Sequence, residues 1–127
     1  MTAPSFEPAP APSPTPVADK PRALLVLTSL PDAAHAQTLA AALVEARLAA
    51  CVNILAPCTS VYRWQGAVET TTEVPLLIKT TPARYAELEA AIRAHHPYEL
   101  PEIVSVPVTQ GLPAYLDWVA AETAAAE

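Results

Sequence analysis

His95 and His96 are the one adjacent pair of strong transition-metal ligands in the chain. Imidazole suits copper, zinc and nickel. Neighbours on a helix point about 100° apart, so both could hold one ion only where the second has left the helix. Pro97 pushes His96 towards an extended conformation and allows that. Alternatively, one ring serves the helix C-terminus and the other is solvated. Cys51, Cys58, His35 and nearby carboxylates could complete a site of three or four ligands, but none of them shows a recognised zinc spacing. Each cysteine also reads as a small buried hydrophobe.

A second group mixes aromatic and charged side chains. Tyr62 and Trp64 fall on one face of a strand by alternation, and Arg63 falls on the other. Lys79 interrupts an apolar strand and could be a polar anchor. With Tyr98, Glu99 and Glu102 these residues could line a small-molecule cleft. The alternative is interface packing with satisfied polar tips. Enzymatic signatures are missing: there is no GxSxG and no HExxH, and two glycines cannot build a phosphate-cradling loop. The expectation is a protein that binds and assembles rather than an enzyme.

The elements that must position these residues follow from periodicity. The apolar run from Ala23 to Leu30 predicts a strand buried on both faces, and Asp32 caps a helix carrying Ala36, Leu39, Ala40 and Leu43 to about Ala49. Cys51 to Trp64 reads as a second strand with a bulge at Pro57. Unbroken, it would span about 46 Å, against a radius of gyration of about 13 Å for a domain of this size. Either Pro57 breaks it, or part of it projects and pairs with another chain. On one continuous strand Cys51 and Cys58 would face opposite ways, about 23 Å apart, whereas a disulfide needs Cα atoms within about 7 Å. Reduced thiols follow, which fits a reducing compartment.

Gln65-Gly66 predicts a turn, with Glu73 to Thr81 returning antiparallel and Pro75 at an edge or bulge. Pro82 opens a second helix with Tyr85, Leu88 and Ile92 on one face, ending at His95-His96-Pro97. Ile103 to Thr109 forms the last strand, and Leu112, Tyr115, Leu116 and Val119 mark a closing helix. This order predicts an α+β, ferredoxin-like βαββαβ fold: a four-stranded antiparallel sheet with helices on one face. An apolar second face would need a cover, which a symmetric homo-oligomer supplies.

The 127 residues are 52% apolar with a net charge of −6 and no basic stripe, so nucleic acid is not an expected partner. Residues 1–21 hold seven of the fifteen prolines and read as a disordered Pro/Ala-rich tail before one domain over 22–127. The tail's prolines never fall three apart, so it lacks PxxP spacing. No apolar run reaches the roughly 18 residues of a membrane span, and no secretory signal opens the chain. A cytoplasmic location is expected.

The segments Leu48–Leu55 (LAACVNIL), Ser60–Gly66 (SVYRWQG), Leu76–Thr81 (LLIKTT), His95–Ile103 (HHPYELPEI) and Pro113–Trp118 (PAYLDW) closely resemble the CutA family of divalent-cation tolerance proteins. The resemblance runs from about Ala23 to Ala120. It implies a ferredoxin-like protomer in a tight homotrimer, with strands extended across subunits as in the PII signalling proteins. It also implies copper tolerance and binding of Cu2+, attributed in some members to a strand-one cysteine and a His-His pair. His95 and His96 match the pair, Thr28 stands at the cysteine position, and Cys51 matches another family cysteine that could substitute as a ligand. The expected function is therefore a homotrimer that binds a divalent cation, copper first, without catalysis. The alternatives are a PII-like sensor holding an anionic metabolite between subunits near Lys79, Tyr98 and Glu102, and a purely structural trimer.

Overall fold

A computed structural model describes residues 20–125, so the proline-rich tail lies outside the described residues except for Lys20 and Pro21. The elements run β1 (Ala23–Leu30), α1 (Ala33–Glu45), β2 (Cys51–Ile54), β3 (Cys58–Trp64), β4 (Ala67–Thr80), a 3-10 turn (Pro82–Arg84), α2 (Tyr85–His95), β5 (Val104–Val108) and α3 (Pro113–Glu122). The sheet order is β2-β4-β1-β5 with every pair antiparallel, and β3 continues along β4 beyond β2. This is the expected ferredoxin-like arrangement, with five strands instead of four.

The fifth strand arises because Cys51–Trp64 is interrupted. Ile54 stands opposite Leu76 and Cys58 opposite Glu73. Three residues, Leu55 to Pro57, therefore face only Val74 and Pro75, and the surplus residue is a bulge where Pro57 predicts one. Pro75, which has no N–H to give, lies in the same gap, and its carbonyl accepts the Leu55 N–H at 2.9 Å. The bulge also resets the side-chain alternation. Cys51 pairs with Lys79 and Cys58 with Glu73, and both partners occupy odd positions of β4. The two cysteines thus share one face, contrary to the continuous-strand expectation. Six β4 positions, about 20 Å, still separate them, and both are free thiols.

β4 starts at Ala67, six residues before the strand expected at Glu73. With β3 it forms a hairpin closed by Gln65 (φ 50°) and Gly66 (φ 83°), a two-residue turn whose positive φ values match the strand twist. Its side chains are largely exposed, with Val61 and Val68 each 65% accessible.

Even positions of β4 (Val74, Leu76, Ile78) join Val26 and Leu30 of β1 beneath Leu39 and Leu43 of α1 and Leu88 and Ile92 of α2. Burying each such side chain contributes about 1.5–3 kcal/mol. Asp32 caps α1 as expected, its Oδ1 accepting the His35 N–H at 2.8 Å. The helix stops at Glu45, short of Ala49, because Arg47 turns left-handed (φ 61°). Arg47 N–H bonds Val44 O and Leu48 N–H bonds Leu43 O, both at 3.0 Å, the two-bond closure that usually recruits glycine. Here the guanidinium bonds the carbonyls of Ala121 (2.7 Å) and Ala124 (3.1 Å) at the end of α3, offsetting the strained φ.

On the opposite face α3 covers only one end of the sheet, where Val119 and Leu116 pack against Ala23 and Val108. Leu25 and Leu27 of β1 stand opposite Val106 and Val104 of β5, and Leu27 opposite Leu77 of β4. The two valines remain 43% and 46% accessible, so the rest of this face is apolar and uncovered in one protomer.

Candidate functional site

The two adjacent histidines have different surroundings. His95 is the last residue of α2; it is exposed, and its Nδ1 lies 2.9 Å from the carbonyl of Ala91 one turn earlier. A carbonyl only accepts, so Nδ1 carries the proton and Nε2 keeps its lone pair for another partner. His96 has left the helix as Pro97 requires (φ −78°, ψ 133°) and is buried. Its Nε2 donates to the carbonyl of Ser29 at 2.7 Å, and its Nδ1 accepts the Tyr98 N–H at 3.1 Å. Both ring nitrogens of His96 are therefore occupied by the chain itself. The ring also packs on Tyr98 with centroids 4.7 Å apart. His96 thus ties the segment after α2 to the end of β1.

Thr28 directly precedes the Ser29 that holds His96, but neither Thr28 nor Cys51 makes a hydrogen bond to the histidines among the described residues. Thr28 is 1% exposed within the core, and its Oγ1 has no hydrogen-bond partner among the described residues. Cys51 is half-buried at the far end of the sheet, its Sγ 3.9 Å from Lys79 Nζ. Along β4, Lys79 is four positions, about 13 Å, from the Pro75 that faces Ser29. Among the described residues no three His, Cys, Asp or Glu side chains converge as a metal site.

The cleft candidates separate likewise. Lys79 donates to Asn53 Oδ1 beside Cys51. Tyr98 lies at the other end, where burial, then the neighbouring Glu73 carboxylate, raises its phenol above the ordinary tyrosine range, with Tyr62 and Asp32 adding smaller effects. Tyr98 and Glu99 line an open depression of about 400 Å³ with Arg93 and Pro101. Trp64 sits at the hairpin turn, and Glu102 is exposed just before β5. One chain alone does not bring Lys79 to Tyr98.

His35 takes on more weight than its sequence context gave it. It lies in the first turn of α1, with its Nδ1 2.8 Å from Asp32 Oδ1. His35 and His95 line one open depression of about 310 Å³, with Ala34, Thr38 and Leu39. The hydrogen bonds from the His35 backbone and then its ring hold the Asp32 carboxyl below its usual range. No sequence spacing signals this approach, since α1 and α2 meet only through the fold.

Known proteins agree with this architecture. A divalent-cation tolerance protein CutA from Thermus thermophilus is 48% identical over 99 residues, covering 78% of this chain and 96% of the relative. A CutA homolog from Xenopus laevis is 46% identical over 89 residues, 70% of this chain and 59% of that protein. A solved Thermus thermophilus structure superposes with a TM-score of 0.79 at 47% identity, covering 80% of this chain and 99% of the other. A structure from Archaeoglobus fulgidus, named a periplasmic divalent cation tolerance protein, superposes at 0.78 with 33% identity, covering 80% of this chain and 99% of its own. No helix among the described residues is long and apolar enough to cross a membrane. Residues 24–122 match the family described as CutA1 divalent ion tolerance protein, and with this fold and these relatives the chain belongs to that family.

Proposed function

We propose that the protein acts in the cytoplasm as a homotrimer that binds a divalent cation, copper(II) first, and confers metal tolerance without catalysing a reaction. The uncovered apolar sheet face carries the oligomeric part of the reading. Leu25, Leu27, Leu77, Val104 and Val106 form a continuous surface that a second copy can bury. The β3–β4 hairpin supports it, because an isolated two-stranded hairpin is marginally stable in water and this one runs seven residue pairs with mostly exposed side chains. Pairing with another chain gives it the missing partner.

For the cation, His95 offers on the surface an Nε2 that has no hydrogen-bond partner among the described residues. His96 supports the segment after α2, and Cys51 belongs to the distant Lys79 group, so the His95-His96-Cys51 set does not assemble within one protomer. The free thiols of Cys51 and Cys58 favour a reducing compartment.

Native mass spectrometry with and without copper(II) tests both parts. The expected result is a trimer that takes up copper, copper-free in His95→Ala and dissociated in Val106→Glu, which puts a charge into the apolar face. A monomeric wild type, or unchanged copper uptake in His95→Ala, would overturn the corresponding part.

A further inference from the structure

We propose that His35 and His95 form a two-imidazole clip for a borderline divalent cation of the Cu2+, Ni2+ or Zn2+ type, bridging the start of α1 and the end of α2, with water in the remaining positions. The proposal rests on the cation-binding reading and deepens it by naming a second ligand that the paired-histidine motif does not contain.

Both rings are prepared in the same way. His35 directs Nδ1 to the Asp32 carboxylate at 2.8 Å, and His95 directs Nδ1 to the Ala91 carbonyl at 2.9 Å. Each partner accepts a proton, so each ring holds its hydrogen on Nδ1 and presents the Nε2 lone pair. Metal-bound histidines commonly donate their other N–H to a carboxylate or a backbone carbonyl, which fixes the tautomer and raises ligand basicity. One ring here has each kind of partner, and both rings border the same depression of about 310 Å³. His96 supplies the contrast on the same chain: its two nitrogens are consumed internally.

The local field is mixed. The C-terminus of α2 favours a cation at His95, and the N-terminus of α1 disfavours one at His35. Asp32 opposes the latter from the cap position. Imidazole donors on an open site select copper over its neighbours in the divalent series. Two protein ligands with water in the other positions make an exchangeable site, suited to taking up an excess ion and giving it back.

Calorimetric titration of copper(II) into the full chain in a non-chelating buffer tests the clip, beside His35→Ala and His95→Ala, with electron paramagnetic resonance on each loaded protein. Both rings are exposed, so the variants should keep the wild-type melting curve without metal. The expected result is a loss of affinity of at least about tenfold in each variant, with a nitrogen hyperfine pattern that falls from two imidazoles to one. Wild-type affinity in His35→Ala with loss in His95→Ala overturns the clip and leaves cation binding at His95 standing. Unchanged affinity in both variants overturns the clip and the His95 assignment together. A two-imidazole spectrum that survives His35→Ala overturns the clip by showing another second ligand.

Discussion

Replacing His96 with Ala separates a structural histidine from a metal ligand. The substitution removes a donor to Ser29 O and an acceptor for Tyr98 N–H, and each group left without a partner in a buried setting costs about 1–3 kcal/mol. The ring also packs against Tyr98, a contact of about 0.5–1.5 kcal/mol. Tyr98 is 36% accessible, so water replaces part of the loss, and a net cost of about 2–4 kcal/mol is expected. For a domain of this size that lowers Tm by on the order of 10–20 °C. Urea unfolding by circular dichroism should be run at one fixed chain concentration, because an oligomer's stability depends on it. His96→Phe keeps most of the ring packing and should recover only part of the loss. If His96→Ala costs less than about 0.5 kcal/mol, within the range of ordinary surface changes, and lowers copper affinity as far as His95→Ala does, the hydrogen-bond argument is refuted.

Two further outcomes follow from buried or shifted polar groups. Thr28→Val replaces a core hydroxyl that lacks a partner among the described residues with a methyl of similar shape; urea unfolding should show a gain of about 1 kcal/mol, and a loss would mean that the hydroxyl is satisfied. Tyr98 has a raised pKa, from burial first and Glu73 second, so the folded state holds the phenolic proton more tightly than the unfolded chain. Its contribution is fully present below about pH 10 and is lost as pH rises through the folded value. Tyr98→Phe should flatten the alkaline fall in stability, and an unchanged profile would assign that fall to other groups.

Much of the architecture was legible in the sequence because local signals agreed with it. The Asp32 cap, the bulge at Pro57, the turn at Gln65-Gly66 and the end of α2 before Pro97 each have a short-range cause. Errors arose where the cause is distant. Residues 67–72 of β4 have no buried face in one protomer, so alternation could not announce them. The early end of α1 depends on Arg47, a non-glycine residue whose left-handed turn is supported by carbonyls more than 70 positions away. The site was less legible than the fold. Adjacency made His95 and His96 look equivalent, yet a bond to Ser29, 67 positions away, takes His96 into the structure. His35 gained importance only when α1 and α2 were placed side by side.

The bulge at Leu55–Pro57 also makes the chain unusually sensitive to gene-level length changes. It works as an angle setting for the hairpin: one surplus residue bends and twists the strand between Ile54 and Cys58, and so fixes the direction in which the hairpin leaves the line of β2. A single-codon deletion there would leave composition and charge almost untouched. It would nevertheless merge β2 and β3 into one unbroken register along β4, leaving Tyr62 opposite Glu69 and Trp64 opposite Ala67 but removing the local bend and extra twist that a bulge gives the strand. Lineages related to this chain should therefore tolerate substitutions across these three positions far more readily than any change in their number.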